Sequence, residues 1–463
     1  MKFPFCRENC RENFPRPQRF FLAALLASAG LLFACATGRE SAAPRQTDLR
    51  PPAKAFLQMP ERASGVMPQS LSQTGAFPDT AGLVPAPALI PYDLLVSFWS
   101  DGAAKSRWIS LPAGKIKFAP TGAWVFPRGT VFVKHFELAT DETHPEIKRR
   151  LETRLLVCDA DGAVYGVVYK WRADQRDADL LATNFTEAIP IKTATGTRTQ
   201  TWYYPGRQDC LTCHTANAGY VLGVQTRQLN RDYTYASGLT GNELRVWNHF
   251  GLFDTNFCEA ALPAYPKLAR AEDQTRTLAD RARSYLDANC AQCHRPRGTV
   301  AYFDARYDTP LDRQNLINGP VLIDERLDHP HVIAPNDPWR SILYLRANTT
   351  EAFKMPPLAR NTVDEAGMKL LRQWIASLPG PPVLPPPEIS PRGGTFDRPV
   401  TATLRSEPGA DIRYTLDGTV PTAMDLPYEK PVPLTGPTIL RAKAFKPGFT
   451  PSITAQEIFL MSE

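Results

Sequence analysis

Two short segments constrain this chain more than anything else in it: DCLTCHTANAGY at 209–220 and ANCAQCHRPRG at 288–298. Each contains C-x-x-C-H, as Cys210, Cys213 and His214 and again as Cys290, Cys293 and His294. Cysteines three apart on one turn can each bond a vinyl group of a haem, and the histidine that follows can coordinate the iron from the same turn. Two c-type haems with their iron are therefore the expected cofactors. A four-cysteine zinc site fits less well, because zinc ribbons separate their pairs by roughly 15–20 residues. A thioredoxin-like pair would want a βαβ setting, which the pattern lacks.

The lead-in to the first turn is strand-like. TVFVKHFEL (130–138) and RLETRLLVC (150–158) alternate in polarity, and DADG (159–162) joins the latter to AVYGVVYKW (163–171) as a hairpin. The 44 prolines suit a loop- and strand-rich chain better than a helical bundle. A different texture begins near Ala271. Leu278, Ala282 and Leu286 are spaced by four and predict a helix that runs into the second turn. Residues 361–378 predict another amphipathic helix, with Thr362 and Glu365 as a capping box and Leu370, Leu371, Trp374, Ile375 and Leu378 on one face. The expected organisation is an N-terminal signal at 1–35, a flexible tether at 36–75, a β-rich domain with the first haem at 76–270, and a helical domain with the second at 271–380. A stiff proline linker at 381–388 and a small β-sandwich accessory module at 389–460 complete it.

The N-terminal segment sets Lys2, Arg7, Arg11, Arg16 and Arg19 before the apolar run FFLAALLASAGLLFA. That run is short for a membrane-spanning helix and ends in small residues, so it reads as a signal peptide for export to the periplasm. Its end, Leu32-Phe33-Ala34-Cys35, resembles a bacterial lipobox, which implies lipidation of Cys35 and a membrane anchor. Plain secretory cleavage near Ala36 is the alternative. Removing residues 1–34 leaves about +3 of the +6 net charge, which gives no case for a nucleic-acid partner. Cys158 and Cys258 remain, either as a disulfide in an oxidising compartment or as two buried thiols.

A haem iron has a second axial position. For the second haem, Met355 in FKMPPLA is the expected distal ligand, since it lies between prolines and a helix; Met368 is the other candidate, inside the closing helix. The first haem has no methionine near it in sequence. In the strand FPRGTVFVKHFEL, alternation places Lys134 with Phe132, Phe136 and Leu138, and His135 with Val131 and Val133. Lys134 is thus a candidate neighbour of the first haem, or an edge-strand lysine reaching solvent. His135, His249 and His144 are candidate distal ligands, and an open iron face is a further alternative.

Several of these blocks resemble known families. The helix into ANCAQCHRPRG, the later KMPP and the closing helix resemble the class I cytochrome c fold over about 275–380, which implies an all-α domain with His294 and Met355 as axial ligands. The strand with Lys134 resembles, in outline, that of cytochromes whose c-type haem is cross-linked to a lysine. LIPYDLLVSFWSDGAAKSRWISLP, RRLETRLL and the two haem turns together resemble a family of exported dihaem proteins over about 76–380. That resemblance implies electron transfer, with a quinoprotein sugar dehydrogenase as donor, and makes Asp101, Lys105 and Arg107 candidates for propionate contacts or strand bridges. The C-terminal block, through Tyr414, Asp417, Gly418 and Pro421, resembles the β-sandwich module of chitobiases, which adds carbohydrate as a candidate partner. The expected fold is multidomain: a β-rich haem domain, an all-α class I cytochrome c domain and a C-terminal Ig-like β-sandwich. The expected function is an electron relay between a periplasmic redox protein and the respiratory chain. A haem enzyme acting on peroxide, hydroxylamine or nitric oxide at an open first haem is the alternative.

Overall fold

The structure is a computed structural model that describes residues 53–255, 257, 259–325 and 327–462. The expected signal peptide, the lipidation site Cys35 and the proposed disulfide partner Cys258 lie outside them. Among the described residues, no helix is long and apolar enough to cross a membrane.

The N-terminal half is built on one antiparallel sheet of six strands in sequence order. These are β1 (Leu89–Pro91), β2 (Ala104–Ser110), β3 (Val131–Ala139), β4 (Lys148–Cys158), β5 (Val164–Trp171) and β6 (Ala178–Leu180). The DADG turn joins β4 to β5, with Gly162 at φ 86° where a side chain would be strained. Side-chain alternation gives the sheet two different faces. On one, Val131, Val133, Leu155, Val157 and Val167 pack against Leu57, Met59, Met67, Leu71 and Phe77. That packing corrects the expectation of a tether to 75. From Ala53 onward the segment supplies apolar residues at irregular spacing, which no periodicity reveals, and they close one face of the sheet.

The opposite face carries two apolar clusters with a gap between them. At one end Ile109 and Phe132 pack against Trp124, Leu229, Leu244 and Trp247. At the other, the hairpin of β7 (Phe185–Thr193) and β8 (Gly196–Tyr204) places Ile189, Ile191, Trp202 and Tyr204 over Phe136 and Leu138. Between Phe132 and Phe136 on this face lies Lys134. A short helix, α1 (Arg207–Cys213), follows the hairpin and lies across β5. Two further short helices, α2 (Thr226–Leu229) and α3 (Glu243–His249), flank a small hairpin of β9 (Asp232–Thr234) and β10 (Thr240–Asn242).

Residues 271–380 do not form an all-α domain, which corrects the class I cytochrome fold expected there. Helices occur only as α4 (Leu278–Asn289), α5 (Ile342–Ala347) and α6 (Glu365–Ser377). Apart from a three-residue helical turn at Leu311–Arg313, the long stretch between α4 and α5 is turns, bends and isolated bridges. Nor does any group of three or more His, Cys, Asp or Glu among the described residues converge as a metal cluster. Pro310, Pro320, Pro330, Pro335 and Pro338 withhold amide donors throughout the stretch between α4 and α5, so it cannot continue as helix. The two longer helices do appear where their periodicity placed them, with Ala282, Leu286, Leu371, Trp374 and Ile375 in a common core. The N-cap of α6 differs from the expected Thr362–Glu365 box: Asp364 accepts from the Gly367 amide at 3.0 Å. Thr362 is otherwise engaged, as described below.

The C-terminal module is two sheets around Leu404, Leu434, Leu440 and Phe459. One contains β11 (Glu388–Ser390), β13 (Val400–Arg405) and β16 (Val432–Leu434). The other contains β12 (Gly394–Phe396), β14 (Asp411–Thr415), β15 (Leu426–Pro427), β17 (Thr438–Phe445) and β18 (Ala455–Met461). The expected stiff linker is not a free spacer. Leu384 is fully buried and its amide donates to Thr450 O at 3.1 Å, while the Thr450 amide donates to Pro382 O at 2.8 Å.

Candidate functional site: two cavities that meet

Each C-x-x-C-H turn opens into its own cavity. Around the first, α1 rests directly on β5, and the contact depends on Gly166: a Cβ there would stand 2.6 Å from Cys210 Sγ. His214 caps the helix, and its Nδ1 lies 2.7 Å from Tyr220 O. With Nδ1–H donating to that carbonyl, Nε2 is the nitrogen left to bind a metal. Burial pulls His214 down to about 4, helped by the charges of Lys134 and Arg154, so the imidazole is neutral at pH 7. Cys210, Cys213 and His214 line one cavity with Phe132, Leu156, Val221 and Leu222, and with Arg107, Lys134 and Arg154 from the exposed gap in the sheet.

The second cavity is more apolar. His294 lines it together with Phe303, Val321, Leu343 and Met355. Its ring stacks on Phe303 with centroids 4.2 Å apart, and its buried Nδ1 has no hydrogen-bond partner. Burial lowers this histidine to about 4 as well. The two sulfur candidates are separated cleanly. Met355 lines the cavity, with its amide on Arg346 O at 2.8 Å, whereas Met368 is 3% exposed within the α4–α6 core.

The other candidate ligands of the first haem are also sorted by the sheet. Lys134 faces the first cavity. His135 faces away, fully buried against Trp171, with Nδ1 2.8 Å from Thr153 Oγ1. It therefore cannot serve this cavity, because one residue along a strand reverses the side chain. His249 lies exposed on α3, and His144 lies beside Asp141 at 3.4 Å; neither lines the cavity. Cys158 is a buried thiol, pushed up to about 12 by burial.

The cavities share a boundary that no sequence pattern announces. The Cys213 and Cys293 thiols are neighbours whose interaction pushes Cys213 up and draws Cys293 down. Arg295 Nη1 donates to Asn217 O at 3.1 Å, binding the two turns again. Phe98 lines the first cavity and its neighbour Trp99 the second. On the other strand of this seam, Leu358 and Ala359 line the first, while Met355, Pro356 and Arg360 line the second. Asp101 locks the seam. Its carboxylate accepts from the amides of Asn361 at 2.8 Å and Thr362 at 2.9 Å, and from the Thr362 hydroxyl at 3.0 Å. Trp99 adds its amide on Asn289 Oδ1 at 2.8 Å and its indole N–H on Thr362 O at 3.1 Å. A second lock is the buried pair of Arg227 and Asp287, bidentate at 2.9 Å, with Asp308 2.7 Å from the same guanidinium.

Of the residues proposed for propionate contact, Asp101 is thus a bridge, Lys105 donates to Phe98 O at 2.5 Å, and Arg107 faces the first cavity. The residues present fit a haem at each turn. Paired cysteines sit beside a neutral histidine, one with its tautomer set by a carbonyl and the other with an orphaned buried nitrogen, and each faces apolar walls.

The C-terminal module resembles a known family. Residues 391–456 match the chitobiase/beta-hexosaminidase C-terminal domain, which agrees with the two-sheet architecture seen there. No curated protein and no solved structure matches the chain.

Proposed function

We propose that this chain is an exported dihaem c-type cytochrome that relays electrons between a periplasmic donor and the respiratory chain, with a quinoprotein dehydrogenase as the candidate donor. The observation that carries the reading is the convergence of the two C-x-x-C-H turns, with Cys213 against Cys293 and a common wall between their cavities. A bound haem supplies one-electron redox chemistry at its iron. The chain's own residues do the rest. Cys210, Cys213, Cys290 and Cys293 would attach it; His214 and His294, kept neutral by burial, would each offer a nitrogen, and Met355, which lines the same cavity as His294, would offer a thioether. A thioether ligand favours the ferrous state. The lipidated Cys35 would hold the protein at a membrane.

A second reading rests on a specific observation: apart from His214, no residue lining the first cavity carries an imidazole or a thioether. An iron held there with an open face would suit a haem enzyme acting on peroxide, hydroxylamine or nitric oxide. A pyridine haemochrome assay on the purified chain is expected to return two haems per polypeptide; one or none would sink the relay. Electron paramagnetic resonance of the oxidised protein then separates the readings. Two low-spin signals favour the relay, and one high-spin signal that shifts with cyanide favours the enzyme.

A further inference from the structure

The floor of the first cavity carries an arrangement that the fold does not need. In the register of the sheet, Arg107 on β2 stands directly opposite Lys134 on β3, and Lys134 stands directly opposite Arg154 on β4. Three basic side chains thus form one row across three strands, on a single face, and burial together with Lys105, Arg107 and Arg154 holds Lys134 well below its ordinary value. Like charges placed opposite one another oppose strand pairing, and enclosed charges are costly unless paired. The carboxylates nearby do not balance the row. Arg107 meets Asp93, but Asp93 also serves Arg231 at 2.9 Å. Arg154 pairs with Glu152 at 2.6 Å. Among the described residues Lys134 has no hydrogen bond or ion pair; its Nζ lies 5.0 Å from the Phe136 ring centroid. Arg107 is only 5% exposed, and its Nε has no partner. All three side chains line the cavity that also holds His214.

We propose that the row Arg107–Lys134–Arg154 is a binding site for a small planar oxygen anion, a carboxylate or an inorganic oxyanion, inside the first cavity. Guanidinium groups flanking a central lysine match such a group in shape and charge. The proposal rests on the reading of the first turn as a haem site, and it names what that site attracts. Two sources share this chemistry: the carboxylates of the haem itself, or a diffusible anion that enters beside it.

The test uses the full holoprotein and Lys134→Leu, which removes the amine, adds no group that can ligate iron and strands no acidic partner. Calorimetric titration with nitrite and with formate reads binding without relying on turnover. If the anion is diffusible, the wild type binds one of the two probes and Lys134→Leu weakens it at least tenfold. If the haem carboxylates fill the row, neither probe binds, and Lys134→Leu shifts the midpoint potential of the first haem while leaving that of the second in place. Unchanged titrations together with unchanged potentials in Lys134→Leu overturn the proposal. Should the haemochrome assay return fewer than two haems, the cytochrome reading falls separately. Calorimetry on the chain as purified still decides the row: probe binding lost in Lys134→Leu upholds it, and no binding in either protein overturns it.

Discussion

Gly166 shows how much a single position settles. It is the point where α1 touches the sheet, and any side chain would collide with Cys210 at 2.6–2.7 Å. Gly166→Val should therefore displace the first C-x-x-C-H turn and reduce the haem content of the purified chain from two towards one, read by haemochrome assay. Glu243 is a second informative residue. It is fully buried at the start of α3, one oxygen accepting from the Asp93 amide at 3.0 Å and the other without a hydrogen bond, 4.0 Å from Arg231 Nε. Burial raises it to about 8, well above its ordinary value of 4.5. The folded chain then holds a proton that the unfolded chain releases. That contribution is fully present below about pH 4.5 and is lost as pH rises through about 8. Glu243→Gln should flatten this part of the stability profile between pH 5 and 8 in denaturant melts; an unaltered slope would show that Glu243 is ionised in the fold. Lys134 and His135 show the limit of reading single residues. Alternation separated them correctly, but nothing local says which face of β3 borders a cavity.

At the scale of elements, the central strands β3, β4 and β5 and the helices α4 and α6 were legible because each repeats a simple period; β1, β2 and β6 were not. The packing of 53–77 was not, since its buried residues follow no period, and neither was the irregular course from 290 to 341. The segment carrying Asp101 belongs to this second kind. Its carboxylate is the shared acceptor for three donors on the far side of the seam. Asp101→Ala would leave the Asn361 and Thr362 amides unsatisfied, at a cost on the order of 3 kcal/mol. It should lower the melting temperature and loosen the segment that carries Met355, which a weakened sulfur-to-iron absorption band would report. A full-strength band in a folded Asp101→Ala protein would show that Met355 is held by other contacts.

For the whole molecule, the described residues fall within one compact unit. Arg227 and Asp287 explain part of this, because a buried bidentate pair joins the segment after the first turn to the helix before the second. Breaking it with Asp287→Ala leaves Arg227 enclosed with only Asp308, and should cost about 3–5 kcal/mol. The expected result in calorimetry is an earlier melting transition, split into two if the halves then unfold independently. The C-terminal module is also seated rather than tethered: Lys443 meets Asp328 at 3.0 Å, and Arg340 donates to both Asp328 and Pro451 O.

The sequence by itself determined the spacing of the two C-x-x-C-H turns, the periods of the central strands and longer helices, and the identity of the terminal module. These depend on neighbours within a few residues, or on a pattern with a fixed repeat. Only the tertiary structure decided that the two turns touch, that Met355 rather than Met368 shares a cavity with His294, and that His135 faces away from His214. It alone brought Arg107, Lys134 and Arg154 into one row. Such pairings join strands and loops far apart in the chain, and no local interaction encodes their register.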